Sequence, residues 1–383
     1  EICIGRLAVD VKDFRKAGEG VDLSAWKENK VYRPEDYGMS SEVLGKIDEI
    51  VKEGMAKEAF PGCQLVIWKD GVPVYDKCFG TFTYHKKRLV QADNLYDIAS
   101  LTKITGTLLA VMKLYDEGKF GLTDRIADYV PVLKGTPKER ITIEELLHHQ
   151  SGLPSFWPFY REAIDDSSYQ TSFYKNRRDA LHKTQVDRRL WVVDDFKYKD
   201  EWIAGSLSEE FPYEIVEGMY VGAAFKNRML EMLASDEIPL KDRRYRYSCL
   251  NFMLLKEMVE KISGMPMDVY LEKEFYAPMG MSHTLYRPLK RFKPEQIVPT
   301  VQKDYLRGRK ELRGYVHDEI AAFMGGVSGN AGLFSNARDV AKVYQLLADM
   351  GQYDGKRYLS AETCRFFMER KSRISRRGLG FDR

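Results

Sequence analysis

Apolar residues recur along the chain at two spacings, three-to-four in some stretches and two in others, and these spacings mark out its elements. From Met39 to Lys57, Leu44, Ile47, Ile50, Val51 and Met55 form one stripe behind the cap candidates Ser40 and Ser41, which predicts a helix. Cys63-Gln-Leu-Val-Ile-Trp-Lys69 and Val72-Pro-Val-Tyr-Asp-Lys-Cys78 flank an Asp70-Gly71 turn, a strong hairpin signal. A two-residue loop sets Cys63 opposite Cys78 in a hydrogen-bonded pair, a register that favours two buried thiols over a disulfide. From Ser100 to Ser282 helical patterns dominate, the clearest being Leu101–Glu117, Ile143–His149, Met219–Ala234 and Leu250–Ile262. A glycine-rich passage from Met324 to Gly332 precedes another helix, Arg338 to Met350, and the sequence reaches Gly378-Leu-Gly-Phe381 where a further strand could begin. So few strands suggest an incomplete sheet. Residues 1–38, mixed polar and irregular, read as a leader or linker.

Length and charge narrow the function classes. A chain of 383 residues can form two domains or one large domain with an inserted layer. Its 44% hydrophobic and 31% charged content is that of a soluble globular protein, and a net charge of only +3, from 60 basic and 57 acidic residues, gives no field that points to nucleic acid or anionic lipid. Arg177-Arg178, Arg188-Arg189 and Arg243-Arg244 read as solvated surface. No run of 18 apolar residues predicts a membrane span. The start at Glu1, with no signal-like stretch, suggests that any targeting segment was removed or never included. Cys3, Cys63, Cys78, Cys249 and Cys364 lack metal-ligand spacing, so no structural zinc is expected.

The chemistry concentrates at Ser100-Leu-Thr-Lys103. The same S-x-x-K pattern occurs at Ser24–Lys27 and Ser172–Lys175, but those matches sit in polar runs, whereas Ser100 is followed by Ile104, Leu108, Val111, Met112 and Tyr115 at helical spacing. Ser100 is therefore expected in the first turn of a half-buried helix, with Lys103 on the same face and helix-terminal N–H groups favouring developing negative charge. Lys103 can serve as a base where desolvation or a neighbouring positive charge disfavours its ammonium form. Tyr247, in Tyr245-Arg-Tyr-Ser-Cys-Leu-Asn-Phe252 ahead of a helix, is the candidate for handing protons on. His148 and His149 are adjacent and would face different directions on a helix, so they read as a structural turn and not as metal ligands. His317-Asp318 is a candidate lining of the cleft. The glycine-rich passage carries no phosphate-loop pattern and is expected to pack tightly against the site.

Several stretches, in this order, resemble the class C β-lactamase-like, penicillin-recognising serine hydrolases. They are Pro61-Gly62-Cys63, Tyr96-Asp-Ile-Ala-Ser-Leu-Thr-Lys103, Leu122-Thr-Asp-Arg-Ile126, Ile141-Thr-Ile-Glu-Glu-Leu-Leu-His-His-Gln-Ser-Gly-Leu-Pro154, Tyr247-Ser248, and Gly332-Leu-Phe-Ser335. The likeness is closest to versions that form the trailing domain of bacterial cell-wall glycosidases. It implies an α/β sandwich with an inserted helical domain and the site in the cleft between them: residues 39–383, of which 39–99 and about 315–383 form the α/β part and about 100–314 the mainly helical part. It also implies a hydrolase located outside the bacterial cytoplasm, working through an acyl-enzyme on D-alanyl peptides, β-lactams or esters. Ser100 would be its nucleophile, with Lys103 and Tyr247 shuttling protons and no metal or organic cofactor required. Two departures stand out. The second motif of the family ends in Asn or Asp, which helps hold the substrate amide and the lysine, and here that position is Cys249; Asn251, two residues on, would point elsewhere. No K-T-G or H-x-G triplet follows Gly380. The alternative reading is a catalytically impaired domain that binds peptidoglycan or supports a partner domain, such as a glycosidase in a longer polypeptide.

Overall fold

The computed structural model describes residues 32–382. The Ser24–Lys27 match, Cys3 and most of the 1–38 segment lie outside the described residues.

Helix α1 (Ser41–Ala56) begins where the cap chemistry places it: the Ser40 hydroxyl accepts the Val43 N–H at 3.2 Å. Leu44 and Val51 face inward, but Ile50 is 67% exposed, one step round the helix from Val51 and outside the buried arc. Strands β1 (Gly62–Lys69), β2 (Val72–Thr83) and β3 (Lys86–Leu89) form an antiparallel sheet in that order. Asp48 of α1 ties helix to sheet, its carboxylate accepting from Tyr75 Oη at 2.6 Å and Lys77 Nζ at 2.7 Å.

The hairpin corrects one expectation. Lys69 faces Val72 across the two-residue turn, but the register shifts between Ile67 and Trp68, leaving Val74 as an extra residue on β2. Pro73, opposite Trp68, has no N–H for the ladder, which is the usual reason for a bulge beside a strand proline. Cys63 therefore pairs with Phe79 and Cys78 with Gln64. The two thiols sit one rung apart and point to opposite faces, and both are free and half-buried instead of facing each other in the core.

The chain from Ala99 to Asp116 is helical but not uniform: a 3₁₀ turn at Ala99–Leu101, a wide turn with i→i+5 bonding at Lys103–Leu108, then α2 (Leu109–Asp116). The middle of the chain carries short strand pairs between Ile164 and Val221 in addition to the expected helices. Met219–Val221, expected to start a helix, is a strand paired with Tyr213–Val216 across a turn in which Gly218 takes φ +72°, and helix α3 (Phe225–Ala234) starts only after it. Helix α4 (Cys249–Ser263) ends at Gly264, which adopts φ +68°. A small antiparallel sheet joins distant segments: Leu333–Ser335 pairs with Leu285–Tyr286 on one side and Tyr96–Asp97 on the other. Helix α5 (Ala337–Ala348) packs on β1, its Ala337 N–H donating to Gln64 Oε1 at 2.9 Å, and a mostly apolar groove of about 680 Å³ runs between them.

Residues 378–381 form no strand. Leu379 is fully buried and donates its N–H to Phe367 O at 2.8 Å, and Gly380 donates to Leu147 O at 3.0 Å. No helix among the described residues is long and apolar enough to cross a membrane.

Candidate active site

Ser100 follows a residue in an uncommon backbone state. Ala99 adopts φ +45°, a left-handed conformation that costs a non-glycine residue about 1–3 kcal/mol unless its surroundings impose it. Asp97 imposes it: Oδ1 accepts the Ala99 N–H at 2.9 Å, while Oδ2 accepts the N–H of His317, also at 2.9 Å. Burial raises the Asp97 pKa, against the two N–H groups that stabilise the carboxylate. The strand pairing of Phe334 with Asp97 and the 3.1 Å bond from Ile98 N to Leu333 O hold the same turn from below. Ser100 is thereby presented to solvent.

Lys103 lies under it. Only 3% exposed, its Nζ stands 3.1 Å from Ser100 Oγ, 2.9 Å from the Asn330 carbonyl oxygen and 3.6 Å from Cys249 Sγ. The aromatic faces of Tyr247 and Phe252 lie 5.0 and 5.8 Å from the same nitrogen. By contrast, Lys175 in the Ser172 match turns to Asp179 in an ion pair.

The start of α4 is set by the turn that contains His149. This residue takes φ +55°, and its Nδ1 accepts the Ser248 N–H at 3.1 Å and lies 3.2 Å from Asn251 Nδ2. Ser248 Oγ donates to Pro154 O at 2.6 Å, and Cys249 N to Ser155 O at 2.9 Å. The Ser151-Gly-Leu-Pro154 turn is thus the bed on which the second motif lies. Asn251 points away from Lys103, accepting from Ser151 Oγ at 2.6 Å and donating to Leu146 O at 3.0 Å. Tyr247 stacks on His149 with ring centroids 4.7 Å apart and is 38% exposed. Among the described residues no hydrogen bond ties its hydroxyl, so it meets Lys103 through its ring.

Cys249 is half-buried beside Lys103, and burial pushes its thiol pKa up although Lys103 and the Asn330 amide stabilise the thiolate. His317 contributes its backbone to Asp97 and keeps an exposed side chain. The glycine-rich passage packs as tightly as expected. At Gly329 a Cβ would run into the Phe252 carbonyl, and Thr107 Oγ1 donates to Gly329 O at 2.8 Å.

Ser100, Lys103, Tyr247 and Cys249 therefore converge, and His317 joins them through its main chain. Asp97 and Asn330 were not singled out from the sequence, and Asp318 was named only beside His317 as a candidate lining of the cleft. Asp97, two residues ahead of Ala99, carries an Asx-turn signal; Asn330 carries none.

The chain is similar to known proteins along most of its length. Residues 47–381 match the family model described as Beta-lactamase. The chain is 30% identical to an Escherichia coli (strain K12) protein described as "Putative D-alanyl-D-alanine carboxypeptidase", over 91% of this chain and 74% of that one. It is also 30% identical to the N-acetylmuramyl-L-alanine amidase of Bacillus subtilis (strain 168), over 85% of this chain and 67% of that protein. Among solved structures, the octameric penicillin-binding protein homologue from Pyrococcus abyssi shares the fold with a TM-score of 0.58 at 22% identity, over 88% of this chain and 64% of that one.

Proposed function

The chain belongs to the β-lactamase family, and from that premise we propose that it hydrolyses D-alanyl peptide, β-lactam or ester substrates through an acyl-enzyme on Ser100. The observation that carries the reading is the 3.1 Å approach of Lys103 Nζ to Ser100 Oγ, with the lysine withdrawn from water and the serine exposed. In the first half-reaction Ser100 Oγ bonds to the carbonyl carbon while its proton passes to Lys103 Nζ. The leaving group departs with that proton, delivered from Lys103 Nζ, and the Tyr247 hydroxyl is the second group that can hand a proton on at the site. Water then attacks the acyl carbon, gives up its proton along the same route, and releases the acid and free Ser100. Cys249 and the His317 segment border the place where the rest of the substrate would lie. The names of the E. coli and B. subtilis relatives support a peptidoglycan-derived substrate and a site of action outside the bacterial cytoplasm.

Labelling the full-length protein with a fluorophosphonate or a fluorescent penicillin, followed by peptide mapping, tests this reading. The expected adduct is on Ser100 and disappears in Ser100→Ala; an adduct that persists there overturns the assignment. One observation favours a second reading, a domain that binds peptidoglycan without turning it over: a weakly hydrogen-bonding thiol stands at Cys249, where the family carries Asn or Asp. Absence of any adduct would support it.

A further inference from the structure

An amine at Lys103 that is to take the Ser100 proton has two hydrogens to place, and the three groups around it are unequal partners. Ser100 Oγ must remain free to react, and Cys249 Sγ, at 3.6 Å, is a weak acceptor. The strongest contact is the 2.9 Å bond to the main-chain oxygen of Asn330. That oxygen is fixed from several directions. The Asn330 side chain, 1% exposed, donates through Nδ2 to Asp318 Oδ1 at 2.9 Å and accepts at Oδ1 from Ser328 Oγ at 2.7 Å. Asp318 in turn caps the Glu319–Phe323 helix, its Oδ1 taking the Ala321 N–H at 2.8 Å. Gly329, immediately before, lies against the main chain of Phe252 and leaves the segment little room to shift.

We propose that Asn330 replaces the amide that position 249 lacks, so that Lys103 is positioned from the glycine-rich passage and not from the start of α4. This inference rests on the acyl-enzyme reading above. Asn330 is a positioning residue: its buried amide holds its own carbonyl in line with Lys103 Nζ, and the lysine in turn addresses Ser100. With the amide removed, the carbonyl loses its hold on the Asp318 and Ser328 side, and the thiol of Cys249 gives the lysine no comparable alternative. An asparagine at 249 would.

A double-mutant cycle on the full-length protein tests this, reading the second-order rate of fluorophosphonate labelling at Ser100 across pH 6–9, with thermal melting to show that each variant is folded. Asn330→Ala is expected to slow labelling about tenfold and to change its pH profile, whereas in a Cys249→Asn background the same substitution costs about threefold or less. Asn330→Ser repeats the cycle with a smaller perturbation, which keeps the test decisive if the alanine variant does not fold. Equal losses in the two backgrounds, or an unchanged rate and profile in Asn330→Ala, overturn the inference while leaving Ser100 as nucleophile. Failure of the unsubstituted protein to label at Ser100 overturns the acyl-enzyme reading and this inference with it.

Discussion

His149 Nδ1 accepts the main-chain N–H of Ser248 at 3.1 Å, which joins the turn after Leu147 to the residue that opens α4. Acting as acceptor, Nδ1 carries no proton, so the neutral ring holds its hydrogen on Nε2. Burial, with smaller contributions from the Arg377 and Lys103 charges, holds the imidazole pKa down at about 3.

A pH dependence of stability follows. Below the ordinary histidine range, near pH 6.5, the unfolded chain takes up a proton that the folded chain refuses until about pH 3. Stability should therefore be fully present above that range and decline as pH falls through it, by on the order of 1 kcal/mol per pH unit at most. Asparagine tolerates the left-handed backbone of position 149, so His149→Asn should flatten this acid slope. Urea unfolding of both proteins from pH 7.5 to 4.5 measures the difference, and parallel slopes would count against the assignment.

Cys249→Asn should raise acylation by a D-alanyl peptide more than hydrolysis of a nitrophenyl ester. One added hydrogen bond to the substrate amide is worth roughly two- to tenfold in rate, and activated esters lack that amide N–H. Parallel kcat/KM measurements decide it. Equal changes for the two substrates would show that position 249 does not border the substrate amide.

Gly329→Ala should destabilise the fold by about 1–3 kcal/mol or more, because the new methyl meets the main chain of Phe252 and neither α4 nor the passage can retreat easily. Its melting temperature should drop without any change in net charge. An unaltered melting curve would mean that the two segments are not in contact.

No peptide linking Cys63 to Cys78 should be recovered from the protein digested under non-reducing conditions. Alternation along the hairpin turns their thiols to opposite faces, and closing the bond would require moving a strand.

What the sequence disclosed depended on how far its signals had to reach. Ser100 and Lys103 are three residues apart in one helical run, so their spacing, together with the apolar stripe behind them, brought them together. The same spacing could not reveal the wide turn at Lys103–Leu108, since apolar periodicity is insensitive to one residue of extra winding. Asn330 is 227 positions from Lys103, and its role arises only where α4 and the glycine-rich passage close on each other. The hairpin is a different case. Pro73 was visible inside the strand, and its missing N–H was sufficient reason to expect the bulge that moved Cys63 off Cys78. At Met219–Val221, neighbouring apolar residues matched a helical stripe, but the Gly218 turn committed the segment to a strand first.

The left-handed Ala99 bears on how this protein could change over generations. Glycine at that position would relieve the strain and be welcomed by selection for heat tolerance. It would also let the turn carrying Ser100 wander among more conformations. Drift toward robustness and the upkeep of a sharply presented hydroxyl therefore pull on one codon in opposite directions, and a lineage that gave up turnover would be free to lose the alanine.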